Sequence, residues 1–360
     1  MSFSEELMSW YDAHRRSLPW RGEREPYRIW LSEIMLQQTQ TETVKGYYAR
    51  FLRRFPTVFD LAEADEGEVL KLWEGLGYYS RARNLHAAAR KVAREWEGRF
   101  PSDAAGLRTL PGVGPYAANA IASIAYDEPV PALDGNQARV LARVLAWEPE
   151  IRTPFDLLKP ALELIDRHRP GDYNQALMDL GATICTPRTP DCGSCPVAKH
   201  CKALAADAVA DFPRKPAPAV KKPQDWTIVL AFMEGKVLVR RRPRGLLGGL
   251  YEFCAVEGHP DAGGLCEMLT EMGFEGVKIV ERLPDAKHVF THRVWFMRGW
   301  RVRCDKAPEG FTAVDSEELR ALPFPGALRI YREIAEKRLT AVVGDGTISP
   351  GIQMEVMMNE

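Results

Sequence analysis

The sequence predicts two domains of different class, an all-α unit followed by an α+β unit. Three observations lead there. The chain has 360 residues, too many for one compact core and enough for two of the usual ~100–200 residues. From Phe3 to about Leu204, apolar residues recur at three- and four-residue spacing, the period of a helix with one buried face. Beyond the stretch DFPRKPAPAVKKPQ, Asp211–Gln224, the period shifts toward two, as in strands. The expected limits are a helical unit over 1–210, a Pro/Lys-rich connector over 211–225, a second unit over 226–340 and a loose tail over 341–360.

Within the first unit the helical pattern is clearest at Asp65–Leu76, Arg81–Trp96 and Gly135–Trp147. Pro26, Pro56, Pro101, Pro111, Pro154, Pro160 and Pro170 fall near the starts or ends of such segments, where the missing N–H is tolerated. At Leu107–Ala120 (LRTLPGVGPYAANA), one helix ends near Leu110, Pro111–Gly114 turns tightly, and another helix starts near Pro115. Gly112 and Gly114 allow a sharp turn and close approach of a partner. The amides of such a turn and of the following helix suit a phosphate. In the second unit, Trp226–Met233 and Lys236–Arg240 flank Glu234-Gly235 and read as a hairpin. Asp261–Met272 and Pro325–Leu339 read as helices, and His288–Trp300 as an alternating strand.

Composition is that of an ordinary globular chain, 46% hydrophobic and 27% charged. No run of about 18 apolar residues is present, which excludes a membrane-spanning helix, and Met1–Trp10 carries Glu5 and Glu6 with no apolar stretch for a signal peptide. A cytoplasmic monomer is expected. With 48 basic against 49 acidic residues, no global field attracts a polyanion, so local patches decide. Leu76–Arg99 is one such patch, readable as phosphate-facing or as a solvated helix face.

Four of the seven cysteines crowd together: Cys185, Cys192, Cys195 and Cys201 read C-x6-C-x2-C-x5-C. An intracellular chain rarely keeps disulfides, so a metal site is expected. Structural zinc prefers two short C-x2–4-C pairs, and only the middle pair is that close. Four thiolates spread over one loop suit a [4Fe–4S] cluster better. Cys254, Cys266 and Cys304 read as small core residues.

Two carboxylates complete the candidate chemistry. Glu33 lies in the apolar helix of Ile29, Trp30, Leu31, Ile34, Met35 and Leu36, where desolvation would keep it protonated near neutrality. A surface Glu on an amphipathic helix is the simpler alternative. Asp134, in LDGN before a helix, is on its own residues a good N-cap.

A helix-hairpin-helix, then an Asp, then a C-x6-C-x2-C-x5-C loop resembles the endonuclease III superfamily of DNA glycosylases, over roughly Leu18–Cys201. LPW at Leu18–Trp20, WLSEIMLQQTQ at Trp30–Gln40, GLGYYSRARNL at Gly75–Leu85, LDGN at Leu133–Asn136 and NQALMDLGATICTPRTPDC at Asn174–Cys192 are similar to its adenine-excising branch. The resemblance implies an enzyme of base-excision repair that hydrolyses the N-glycosidic bond of adenine paired with 8-oxoguanine or guanine in double-stranded DNA. It also implies a structural [4Fe–4S] cluster. Glu33 would be the general acid and Asp134 would stabilise the sugar cation, with Tyr116 and Asn136 positioning them. Lyase members carry lysine at the position of Tyr116, so a monofunctional enzyme is implied. Asn119 stands where glycine is commoner.

Arg16, Leu18, Trp20, Arg21 and Gln175 would line the purine pocket, although Trp20 is also a natural core anchor. Gln38 and Tyr78 would wedge the vacated stack, and Gly112, Gly114, Arg188 and Lys199 would meet phosphates. The second unit resembles a Nudix hydrolase domain through LLGGLYEF at Leu246–Phe253. Its helix CEMLTEMGF keeps only Glu267 and Glu271, too few carboxylates for catalytic magnesium, so a binding module is implied. Phe290, Thr291 and His292 would read 8-oxoguanine, with threonine where serine is commoner. A bifunctional lyase and a non-catalytic damage sensor are the competing readings.

Overall fold

The computed structural model describes residues 1–217, 220–243, 245 and 247–344, the last four by backbone alone. The chain divides into two compact units, Met1–Pro218 and Ala219–Glu360.

The first unit is helical: α1 (Phe3–His14), α2 (Pro26–Leu36), α3 (Thr41–Arg54), α4 (Val58–Glu63), α5 (Glu66–Leu72), α6 (Ser80–Glu95), α7 (Ala104–Leu107), α8 (Pro115–Tyr126), α9 (Gly135–Leu145), α10 (Leu158–Leu164), α11 (Pro170–Thr183) and α12 (Lys202–Ala205). Prolines open α2, α8 and α11, where fixed φ favours the first turn. Helix α2 is the central rod. Its residues from Ile29 to Met35 are all buried, including Ser32 and Glu33, because α3, α6 and α8 pack around it. It is apolar all round rather than striped, so Glu33 has no solvated face to occupy. Helices α9 and α11 share a second core with α1, built on Leu141, Val144, Tyr173, Leu177 and Leu180.

Between α7 and α8 the backbone makes the expected hairpin. Gly112 has φ +76°, and a Cβ there would strike the Asn84 side chain at 2.6 Å. Gly114 is extended (φ −84°, ψ 179°) and faces open space. The turn therefore needs only Gly112, and Gly114 leaves room at the start of α8.

The second unit is a seven-stranded sheet with helices: β1 (Lys222–Met233), β2 (Lys236–Arg241), β3 (Tyr251–Glu252), β4 (Cys254–Glu257), α13 (Ala262–Glu271), β5 (Lys278–Val289), β6 (Arg293–Arg303), β7 (Phe311–Val314), α14 (Ser316–Ala321) and α15 (Arg329–Gly344). The order β3-β2-β1-β6-β5 puts β1 in the middle, parallel to β6, while β4 adds to β1 and β7 to β2. Alternate residues of β1 enter opposite cores. Ile228 and Leu230 join Tyr331 and Ala335 of α15, and Val229 and Ala231 join Leu265 and Leu269 of α13. Both faces are covered, so Ile228–Ala231 is a continuous buried run. Glu234 and Gly235, both at positive φ (50° and 78°), close the β1–β2 hairpin.

Four sequence expectations change here. The connector expected to run to 225 ends earlier, because β1 begins at Lys222, held parallel to Arg293. The alternating segment His288–Trp300 is not one strand. Val289 pairs with Val294, so Phe290, Thr291 and His292 form the turn between β5 and β6. The helix expected from Pro325 starts at Arg329, after a single 3₁₀ turn at Gly326–Leu328. Of the expected tail, 345–360 lie outside the described residues, while α15 continues to Gly344.

Candidate active site

Glu33, Tyr116, Asp134 and Asn136 line one cavity of about 180 Å³ in the first unit, together with Arg16, Leu18, Trp20, Arg21 and Gln175. Ser32, Thr39, Thr41 and Met178 are also in its wall. Side chains from α2, α8, α9, α11 and the segment before α2 thus converge, Arg16 and Met178 lying about 160 positions apart in sequence.

The Tyr116 hydroxyl donates to Glu33 Oε2 at 2.8 Å. Burial pushes the Glu33 carboxyl above the ordinary carboxylate range; the Tyr116 hydrogen bond and the Arg21 charge oppose the shift, and the Asp134 charge adds to it. A carboxyl raised in this way keeps its proton to higher pH than an exposed one. Burial also raises Tyr116 well above the usual phenol range, helped by the charges of Glu33 and Asp134, so it stays a hydrogen-bond donor.

Asp134 is both an N-cap and a cavity residue. Its Oδ1 accepts from the Asn136 amide (2.9 Å) and the Gln137 amide (2.7 Å), and Oδ2 accepts from Asn136 Nδ2 at 3.2 Å. Burial pushes its carboxyl up while those donors pull it down. The helix that the carboxylate caps also supplies a positive dipole end, which favours the charged form. The capping and functional readings describe the same geometry.

Two neighbours fix this corner. Asn174, fully buried, accepts from the Ala132 amide and donates to Ser123 Oγ and the Val130 carbonyl, pinning the segment leading to Asp134. Gly181 lets α11 approach α9: a Cβ there would lie 2.7 Å from the Asn136 Cβ. Arg139 then donates to Asn136 Oδ1 (3.0 Å), the Gly181 carbonyl (2.6 Å) and the Cys185 carbonyl (2.8 Å).

Cys185, Cys192, Cys195 and Cys201 surround a small hollow that also includes Val140, Val144 and Arg143. Burial pushes the Cys195 thiol up to about 11 and raises Cys201, with the neighbouring cysteines adding repulsion. Four thiolates would gather here only around a cationic group. Among the described residues, no three His, Cys, Asp or Glu side chains converge on one ion. Four cysteines spaced around one hollow suit a group with several separated irons. Arg143 Nη1 donates to Cys185 Sγ at 3.3 Å and spends its other N–H groups on carbonyls of Thr186, Pro187, Val209 and Phe212.

Gln38 and Tyr78 do not line the cavity. Both have left-handed backbones, at φ 56° and 48°, and both side chains are exposed. Such conformations in non-glycine residues are costly and gather at functional loops. Gly112, Gly114 and Arg188 are exposed, whereas Lys199 is paired with Glu6 of α1. In the basic patch of Leu76–Arg99, Arg81 is buried while Arg90, Arg94 and Arg99 are exposed; Arg90 also donates to the Ala62 and Ala64 carbonyls, and Lys91 to that of Thr109. In the second unit, Thr291 and His292 border a hollow with Gln224 and Arg293. Phe290 packs edge-on against Trp295 at 4.9 Å and His288 at 4.6 Å. Glu267 and Glu271 of α13 are exposed.

Residues 31–162 match the HhH-GPD superfamily base excision DNA repair protein, 185–201 the iron-sulfur binding domain of endonuclease III, and 227–333 the NUDIX domain. The adenine DNA glycosylase of Mus musculus is 36% identical over 368 residues, covering 85% of this chain and 72% of the mouse protein. The chain belongs to the adenine DNA glycosylase family. The human adenine DNA glycosylase is 39% identical over 81% of this chain and 65% of its own length. The Arabidopsis thaliana adenine DNA glycosylase is 41% identical, and the chain spans about half of it, 46%. Among solved structures, a thermostable thymine-DNA glycosylase superposes with TM-score 0.53 at 30% identity, over 57% of this chain and 95% of that one. A trapped endonuclease III–DNA covalent intermediate has TM-score 0.50 at 21% identity, over 57% and 94%, a likeness of fold. Membership in this adenine DNA glycosylase family brings a [4Fe–4S] cluster as cofactor.

Sequence reasoning missed three buried residues that organise the site of this family member: Asp179, Arg139 and Arg81. Asp179, on α11, is paired with Arg16 and Arg21, each at 2.7 Å. Arg81 donates to the carbonyls of Ile34, Met35, Leu76 and Gly77 and to Thr39 Oγ1. One signal was available: Asp179 stands among Leu177, Met178 and Leu180, where a carboxylate needs a partner.

Proposed function

We propose that the chain hydrolyses the N-glycosidic bond of adenine mispaired with 8-oxoguanine or guanine in duplex DNA, without cutting the strand. The observation that carries this reading is the Tyr116–Glu33 hydrogen bond, 2.8 Å, in a cavity that also holds Asp134 and no lysine. A lyase needs an amine to attack the sugar, and the cavity wall offers none.

The adenine leaves the stack to reach the cavity. Glu33 gives its proton to N7 as the C1′–N9 bond breaks and its electron pair moves onto N9. The sugar becomes a cation, which the Asp134 carboxylate stabilises. Water then adds to C1′ and returns a proton to Glu33. Arg16, Leu18, Trp20, Arg21 and Gln175 hold the purine, and Tyr116 and Asn136 orient the two carboxyls. Gln38 and Tyr78 fill the gap left in the duplex. Cys185, Cys192, Cys195 and Cys201 would hold the cluster, and the loop that they anchor carries Arg188 toward a phosphate. The hairpin glycines, Gly112 and Gly114, admit another phosphate. The second unit binds rather than hydrolyses, with Phe290, Thr291 and His292 taking 8-oxoguanine. The protein acts as a monomer in the cytoplasm.

The test is incubation with a duplex containing one adenine opposite 8-oxoguanine, assayed before and after alkali. Free adenine, with breaks only after alkali, is expected. Breaks without alkali would indicate a lyase; intact binding without adenine release would indicate a sensor.

A further inference from the structure

We infer that Asp179 is a positioning residue that fixes the pH range of base excision, by anchoring Arg21 at the cavity wall and offsetting the positive charge that acts on Glu33. The inference deepens the proposed glycosylase reading and rests on it.

The geometry is a buried anion between two cations. The Asp179 side chain is 1% exposed, and its Oδ1 takes the Arg21 guanidinium at 2.7 Å and Arg16 Nε at 2.8 Å. Its Oδ2 accepts the Arg16 backbone amide at 3.2 Å, so it also fixes the chain between α1 and α2. Arg21 is 9% exposed. Its Nε–H is buried with no hydrogen-bond partner in the protein, although the guanidinium lines the cavity.

The trio also sets a field. The charged and titratable groups acting on Glu33 are Tyr116 from α8, Arg21 from the segment before α2, and Asp134 at the start of α9. Arg16 lines the same cavity, and the α11 neighbours Gln175 and Met178 carry no charge. Arg81, from α6, donates to the Ile34 and Met35 carbonyls beside Glu33. Arg21 favours the Glu33 carboxylate, which opposes the proton it must deliver. Asp179 offsets that effect because its own charge is opposite and desolvated. A guanidinium can thus be kept for the purine without stripping Glu33 of its proton.

The sign is testable. Excision needs protonated Glu33, so its rate falls as pH rises through a basic limb. Asp179→Asn keeps shape but leaves Arg21 and Arg16 uncompensated, and the limb should move to lower pH by roughly half a unit or more. Arg16→Gln removes a cation and leaves Asp179 less neutralised, so the limb should move the other way. That upward shift should be smaller, because Arg16 is 30% exposed and screened by water.

Single-turnover excision is measured across pH for wild type and both variants, on a duplex with adenine opposite 8-oxoguanine. Opposite shifts support the inference. Limbs that coincide with wild type, with only the amplitude reduced, overturn it and leave Asp179 a structural ion pair. If Asp179→Asn does not fold, Arg16→Gln decides alone: an upward shift supports and an unmoved limb overturns. A wild type that releases no adenine overturns the glycosylase reading, and this inference with it.

Discussion

Glu33 and Asp134 are carboxyls that the fold disfavours as charged groups, and that gives each a testable signature. Burial raises the folded pKa of Glu33 above its unfolded value of ~4.3. The unfolded chain therefore ionises first, and the stability tied to this group is complete below that value. It is lost as pH rises toward the folded pKa. We predict that Glu33→Gln melts at a higher temperature than wild type at neutral pH. The gain should vanish in acid, as thermal melts at several pH values would read; a variant less stable at neutral pH contradicts this account. Asp134→Asn separates capping from chemistry. Asparagine caps a helix as well as aspartate does, so stability should change by only about 0.5 kcal/mol or less. Excision should collapse, since an amide cannot stabilise a cation as a carboxylate can. Both residues could be singled out in the sequence, Glu33 by its apolar helix and both by family resemblance. Asp179 was marked only by its apolar neighbours; its partners Arg16 and Arg21 lie about 160 positions away, and nothing local identifies them.

At the scale of elements, Arg81 is the main finding. It ties the C-terminal carbonyls of α2 to two strained segments, around Gln38 and Tyr78, through neutral acceptors only. Desolvation pulls its pKa down to about 10. Arg81→Met should destabilise the protein by roughly 2–4 kcal/mol, because several buried carbonyls lose their donor at once. Limited proteolysis should cut first near residues 36–40 and 76–79. A variant with unchanged melting and cleavage would show that other contacts hold those loops. Most helices and the β1–β2 hairpin were legible from period and from Glu234-Gly235. The break at Phe290–His292 was not, since a strand continuing and a strand turning back share the same alternation over a few residues. The bonds of Arg90 and Lys91 to backbone carbonyls were likewise hidden, because charge alone does not reveal which carbonyls lie within reach.

For the whole molecule, two units with separate cores imply separable properties. The first unit carries the cavity and the cysteine hollow, and the second carries the turn of Phe290, Thr291 and His292. Thr291→Ala should therefore lower the preference for adenine opposite 8-oxoguanine over adenine opposite guanine, by about tenfold for one lost hydrogen bond. Melting and the excision step itself should stay near wild type. Equal loss on both substrates would place Thr291 outside lesion reading. The two-unit plan was plain from the change of period and the Pro/Lys-rich stretch. Its edge fell at Lys222 rather than 226 because β1 extends to pair with the residues after the turn.

The central claim is that Glu33 and Asp134 act together on an adenine inside one buried cavity. Single-turnover release of free adenine from a duplex carrying adenine opposite 8-oxoguanine tests it most directly. Wild type, Glu33→Gln and Asp134→Asn are compared at equal duplex binding. Release by wild type and a loss of about 10²-fold or more in each variant are expected. Release at the wild-type rate by either variant contradicts it.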